Sequence, residues 1–168
     1  MTNWNSIITN LKDGSDVTVD PARWNLDNPE YKKILDIWTK AKFNLDTVKW
    51  TNYYPGKDFS EDVVKYFAEE LHLKHVHRAW ISKIDPGYMA PWHWDVDEHE
   101  AEYLAHGPIK RYTVVVNQMA SGHVLIIGTD YYHSKPSNTI IKWGNYNEWH
   151  SSMNGGMEPS YLFHILGS

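Results

Sequence analysis

Three residues of this chain are of the right kind to share a metal ion. His93 and Asp95 stand two apart in Trp92-His93-Trp94-Asp95, and His150 lies fifty-five residues beyond Asp95 in Asn147-Glu148-Trp149-His150. Side chains two apart on an extended backbone project to the same side, so His93 and Asp95 can reach one ion together. Adding His150 gives two imidazoles and one carboxylate. That set leaves three adjacent coordination positions open and suits non-haem Fe(II). Each residue also has a purely structural reading. His93 could be bonded to a backbone carbonyl, Asp95 could satisfy turn N–H groups, and His150 could be an exposed residue at a strand end. Asp97 competes as the carboxylate, at a spacing that would suit a helix. His75-x-His77 could hold a metal on one strand face, but no carboxylate follows at a useful spacing.

The elements that must position these residues change character along the chain. Trp4, Ile7, Ile8 and Leu11 fall at helical spacing, and Asp13-Gly14-Ser15 ends that run. A short strand is expected over 16–20. Asp27-Asn28-Pro29 reads as a helix start. The apolar stripe Tyr31, Ile34, Leu35, Trp38, Ala41 extends that helix over about 29–42. VKWTNYY at 48–54 reads as a strand ended by Pro55-Gly56. Ser60 opens a second amphipathic helix over 60–71, with Glu61 and Asp62 favourably placed in its first turn. After Leu71 the segments 75–84, 110–117, 123–128, 138–143, 147–153 and 160–166 are short, rich in β-branched and aromatic residues, and separated by Gly, Pro, Asn and Asp. The expected fold is mainly β with some α: a double-stranded β-helix (jelly-roll, cupin-like) barrel with N-terminal helices packed outside it. One domain is expected over 1–168, with a helical layer at 1–74 and the barrel core at 75–168. The polar stretch 96–109 is read as a loop near the metal and a lid over the substrate entrance.

Composition narrows the function classes. The 168 residues suffice for one domain with a core of its own. The absence of cysteine excludes disulfides and thiol nucleophiles. A net charge of -5 argues against binding nucleic acid through phosphate neutralisation. No run of 18 apolar residues suggests a membrane span, and the N-terminus lacks the pattern of a signal peptide. A cytoplasmic protein is the expectation, with no nucleic-acid or membrane partner. There is no Gly-x-Ser-x-Gly elbow for serine hydrolysis and no phosphate-binding Gly-rich loop.

The run Ser82, Ile84, Pro86, Gly87, Pro91, His93 and Asp95, taken with His150, resembles the Fe(II)/2-oxoglutarate-dependent oxygenases. It is most similar to their aspartyl/asparaginyl β-hydroxylase branch, over about Arg78 to Leu166. That branch has a serine eleven residues before the first metal histidine, where Ser82 stands, and an arginine opening the next long strand, where Arg111 stands. Its distal histidine segment is matched by Trp149 to Asn154. The resemblance implies Fe(II) on His93, Asp95 and His150, with 2-oxoglutarate as cosubstrate. It further implies O2 as co-reactant and hydroxylation of an amino-acid side chain in a protein, a peptide or a small molecule. One departure stands out: Pro159-Ser160-Tyr161 replaces the arginine that usually follows the distal histidine and pairs with the far carboxylate. On strand 110–117, Arg111 shares a face with Thr113, and Lys110 points the other way. Ser82 shares a face with Trp80 and Arg78. Ser82, Arg111 and Thr113 are therefore the expected cosubstrate contacts, with Arg78 in reserve. Two other classes stand beside this one: a cupin-like metal-binding barrel that does not use 2-oxoglutarate, and a lectin-like binding module with aromatic platforms.

Overall fold

The computed structural model describes residues 2–19, 29–95 and 99–168. The cap expected at Asp27-Asn28 and the competing carboxylate Asp97 lie outside them. In chain order the elements are α1 (Trp4–Thr9), β1 (Ser15–Thr18), α2 (Pro29–Lys40), a 3-10 turn (Leu45–Thr47), β2 (Lys49–Tyr53), α3 (Asp62–Glu70), β3 (Val76–Ile84) and β4 (Met89–His93). They continue with α4 (Glu100–Leu104), β5 (Lys110–Val115), β6 (His123–Ile127), β7 (Asp130–Tyr132), β8 (Ile140–Lys142), β9 (His150–Asn154) and β10 (Ser160–Gly167).

The strands form two antiparallel sheets. The larger has the order β1-β2-β3-β10-β5-β8 and the smaller β4-β9-β6-β7. From β3 onward the strands alternate between the sheets in the winding of a double-stranded β-helix, except that β6 and β7 form a hairpin within the smaller sheet. β1 and β2 extend the larger sheet at one edge, with β2 paired to β3, so the part before residue 75 is as much sheet edge as helical layer.

Period-two alternation divides each strand between two environments. On β3, Arg78, Trp80, Ser82 and Ile84 face a cavity between the sheets. Ala79 and Ile81 face the other way, into an apolar layer with Trp4, Phe67, Phe163 and Ile165. That layer joins the outer face of the larger sheet to α1 and α3, with Trp4 stacked on Phe67 at 5.6 Å. β10 lies between β3 and β5 and is covered on both faces, which is why it reads as a nearly continuous apolar run. Burying a side chain such as Phe163 contributes about 2–3 kcal/mol. A second apolar cluster fills the space between the sheets, built by Val115, Leu125, Ile127, Ile141, Trp143 and Leu162.

The helix α2 behaves differently from α3. Its buried residues Ile34 and Trp38 pack with Val48, Trp50 and Trp94, and Trp38 Nε1 donates to the Trp92 carbonyl at 2.7 Å. It braces the barrel end that carries β4, and it contributes Tyr31 and Ile34 to the cavity wall. The stretch read as a loop over 96–109 includes the short helix α4. Its Tyr103 stacks on His77 at 4.7 Å and the following His106 on His75 at 4.7 Å. This described part is docked on the start of β3, and none of residues 99–109 lines the cavity.

Candidate metal centre

β4 delivers His93 at its last position, and β9 delivers His150 at its first. The two are direct cross-strand partners. The register between these strands shifts between Ala90 and His93. Pro91 sits in that irregularity, where a residue without an N–H costs no ladder bond. The imidazole centroids are 4.2 Å apart. Asp95 follows two residues after His93. Its Oδ1 is 3.9 Å from His93 Nε2 and its Oδ2 is 3.8 Å from His150 Nε2.

Backbone carbonyls fix both tautomers. His93 Nδ1 is 2.5 Å from the Pro91 carbonyl, and His150 Nδ1 is 2.9 Å from the Glu148 carbonyl. A carbonyl only accepts, so each Nδ1 carries the proton and each Nε2 keeps a lone pair. This is the outer hydrogen bonding that orients metal-ligating histidines. One ligand atom from each of His93, Asp95 and His150 lies within 4.8 Å of the others, the one such cluster among the described residues. Metal–ligand bonds of about 2.1 Å span a gap of the observed Oδ–Nε2 size. The donor set therefore fits a first-row divalent metal. His150 is buried rather than exposed. His75 and His77 stack with aromatic neighbours and form no such cluster.

Electrostatics keep the donors in their ligating forms. Burial pushes His150 well below the usual histidine range, with the neighbouring His93 adding to the effect. His93 is lowered chiefly by burial, against the attraction of Asp95. For Asp95, burial alone would raise the pKa. The opposite pull of Arg111, His150 and His93 outweighs it and holds the carboxyl far below its ordinary range. Two neutral imidazoles and an ionised carboxylate are what a divalent cation requires.

Arg111 is the main source of that pull. It is 2 % exposed. Its Nη1 donates to Asp95 Oδ2 at 2.5 Å and to the Tyr146 carbonyl at 3.3 Å. Its Cζ lies 3.7 Å from the ring centre of Trp143 and 5.3 Å from that of Trp80. Among the described residues its Nε makes no hydrogen bond. Arg111, expected from the sequence as a cosubstrate contact, is thus engaged by the carboxylate of the metal cluster.

Behind it runs a chain of polar groups, of which the sequence singled out Ser82 and Thr113 but not Trp143 or His164. Trp143 Nε1 donates to Thr113 Oγ1 at 2.9 Å, Thr113 Oγ1 is 3.0 Å from His164 Nδ1, and His164 Nε2 is 2.9 Å from Ser82 Oγ. An indole only donates, so Thr113 Oγ1 accepts from Trp143, and a neutral His164 accepts from one of Thr113 and Ser82 and donates to the other. Ser82 Oγ also lies 3.5 Å from the Leu162 carbonyl. His164 is pushed down to about 3, by burial first and then by the Arg111 charge, and so stays neutral. The signal for His164 in the sequence was a lone histidine inside the apolar run Leu162-Phe163-His164-Ile165-Leu166.

The cavity holds about 320 Å³. Ser82, Arg111 and the three ligands line it. Thr113 is fully buried behind its wall and reaches it through His164. Tyr31, Trp50, Tyr54 and Trp94 form its more exposed aromatic part, and Trp50 stacks on His93 at 6.0 Å. Among the described residues its charged lining is two guanidiniums, Arg78 and Arg111, against the single carboxylate of Asp95.

No family model matches the chain, and no curated protein does. Distantly similar solved structures exist. One is a predicted oxalate decarboxylase from Thermotoga maritima, 11 % identical, covering 71 % of this chain and 80 % of that one with a TM-score of 0.44. Another is a sugar phosphate isomerase of a cupin superfamily from Silicibacter pomeroyi, 9 % identical, covering 71 % and 59 %, with a TM-score of 0.41. The Cnp3 cupin domain of Schizosaccharomyces pombe is 9 % identical, covering 71 % and 64 %, with a TM-score of 0.42. No helix among the described residues is long and apolar enough to cross a membrane. By its own strand order, the chain is a double-stranded β-helix protein that gathers two histidines and an aspartate between its sheets.

Proposed function

We propose that the protein is a non-haem Fe(II)/2-oxoglutarate-dependent oxygenase that hydroxylates an amino-acid side chain in a peptide or small molecule. The observation that carries this reading is the cluster of His93, Asp95 and His150, with both Nδ1–H groups tied to carbonyls and both Nε2 lone pairs free for a metal. Bound there, iron would supply the redox chemistry by which O2 and 2-oxoglutarate give succinate, CO2 and a hydroxylated substrate. The chain's own residues bind and orient. The guanidiniums of Arg78 and Arg111 both line the cavity, which suits a dianionic cosubstrate. Ser82 offers a hydroxyl proton to it, backed by His164 and Thr113. Arg111 lines the same cavity while its Nη1 holds Asp95, and Arg78 lies on the same face of β3 as Ser82. The aromatic part of the cavity is left for the substrate.

A second reading is a metal-binding barrel that does not take 2-oxoglutarate. It is favoured by β10, which turns His164 and Leu162 toward the cavity where a cation would be expected. Calorimetric titration of 2-oxoglutarate into anaerobic, Fe(II)-loaded protein, followed by O2 and succinate measurement, separates the two. Binding with succinate release supports the oxygenase. Metal binding without 2-oxoglutarate binding leaves the second reading standing.

A further inference from the structure

We propose that Arg111, clamped on the face of Trp143, is a positioning residue for the metal: it holds Asp95 by Oδ2 and so fixes the orientation of the carboxylate between His93 and His150. The inference rests on the metal reading above but not on 2-oxoglutarate.

The geometry begins with Trp143. Its indole N–H is fixed by Thr113, and its ring touches two groups of the centre at once. The Arg111 guanidinium lies 3.7 Å from its ring centre, and the His150 imidazole meets it edge-on at 4.8 Å. One buried ring, 4 % exposed, therefore braces a ligand and the arginine that holds another ligand. The Tyr146 carbonyl receives the same Nη1, which further restricts the guanidinium. A planar fork stacked on an aromatic ring is held in a way that a flexible ammonium is not.

Asp95 needs this support. It lies past the end of β4, where no ladder bond among the described residues restrains it, and its side chain is 33 % exposed against 12 % for His93 and 8 % for His150. Left alone, such a carboxylate can rotate, turn to water, or grip an ion through both oxygens. With Oδ2 on Arg111, the carboxylate is held with Oδ1 toward His93 and Oδ2 toward His150.

Two opposing effects of Arg111 on metal affinity follow, and their balance is measurable. As a nearby positive charge it repels a dication, so its removal would tighten binding. As an outer-shell partner it preorganises a ligand, and loss of such partners costs about ten- to a hundredfold in metal affinity. The clamp made by Trp143 and Tyr146 places Arg111 in the second regime.

The experiment is anaerobic titration of the full chain with Co(II) alone, read by calorimetry and by the cobalt d–d absorption. It compares wild type with Arg111→Met, Arg111→Lys and Trp143→Phe. The expected result is Co(II) binding weakened about ten- to a hundredfold in Arg111→Met, with an altered d–d band. Arg111→Lys should be weakened too, because it keeps the charge but not the stacked fork. Trp143→Phe keeps a ring face and should fall between wild type and Arg111→Met. A loss of fold stability alone would leave the band unchanged. Should Arg111→Met not fold, Arg111→Lys and Trp143→Phe carry the comparison. Wild-type affinity and band in Arg111→Lys, or tighter binding in Arg111→Met, would overturn the positioning role while leaving the metal site intact. Wild-type protein that binds no Co(II) would remove the metal site and this inference together.

Discussion

Thr113 and His164 stand opposite each other on β5 and β10, and a 3.0 Å hydrogen bond joins the threonine hydroxyl to the imidazole. The pair links the metal side of the barrel, through Trp143, to the cavity side, through Ser82. Its integrity depends on an uncharged imidazole, and that dependence can be read against pH.

In the unfolded chain His164 titrates near 6.5; in the fold it is pushed down to about 3 by burial and by Arg111. The unfolded state thus binds the proton first as pH falls. This group's contribution is complete above about pH 6.5 and is lost progressively between there and about pH 3. The slope is about 1.4 kcal/mol per pH unit for one such group. Urea unfolding of chelator-treated protein between pH 7 and 4.5 should show it, and His164→Gln, which keeps hydrogen-bonding atoms without titrating, should be flatter by about that amount. Parallel curves for the two proteins would mean that His164 is not held neutral.

Metal should stabilise the fold and should need all three ligands. At a free metal concentration a hundredfold above the dissociation constant, the gain is about 2.7 kcal/mol. Because burial holds His93 and His150 below the ordinary histidine range, competition from protons should set in below pH 6.5 rather than at it. Thermal melts with Co(II) or Ni(II) at pH 6 and 7.5 should give similar shifts, lost in His93→Ala and His150→Ala. Undiminished stoichiometry in His150→Ala would remove it from the centre.

Ser82→Ala should separate cosubstrate from metal. A hydrogen bond to a charged group is worth about 1.5–3 kcal/mol, so 2-oxoglutarate affinity should drop about tenfold or more. Co(II) affinity should not move, since Ser82 touches no ligand. Equal 2-oxoglutarate affinity in both proteins would take Ser82 out of the cosubstrate site.

Asn154 is 1 % exposed at the end of β9. It donates to the Ile84 and Glu158 carbonyls, each at 2.8 Å, and accepts from the Gly156 N–H at 2.9 Å. Asn154→Ala leaves the buried Ile84 carbonyl, the Glu158 carbonyl and the Gly156 N–H without this partner, and a loss of about 1–3 kcal/mol is expected. Chemical denaturation should show that loss with metal affinity retained. A change below about 0.5 kcal/mol, ordinary for surface positions, would mean that water replaces the amide.

Strand alternation made much of this arrangement visible in advance. It separated Arg111 from Lys110 and put Ser82 with Trp80 and Arg78, because one face of each strand is buried and a period of two admits one register. The strand β4 escaped notice because Met-Ala-Pro-Trp-His carries a proline at an irregular register and no alternation. β7 is three residues beside a turn, and α4 is five residues without a side-chain cap. His164 and Trp143 joined the centre only through the pairing of β10 with β5 and the fold of the chain after β8. Which strands become neighbours is decided by the whole barrel, and no local pattern states it.

The direct pairing of His93 with His150 has a kinetic consequence. Ligands held opposite each other by a β-ladder and fixed in tautomer by carbonyls are in place before any ion arrives. Capture should then be paced by the ion shedding its own water, not by the chain rearranging around it. Nickel, which exchanges water slowly, should enter more slowly than cobalt or zinc in stopped-flow mixing. One common rate for all three ions would mean that the barrel itself must open first.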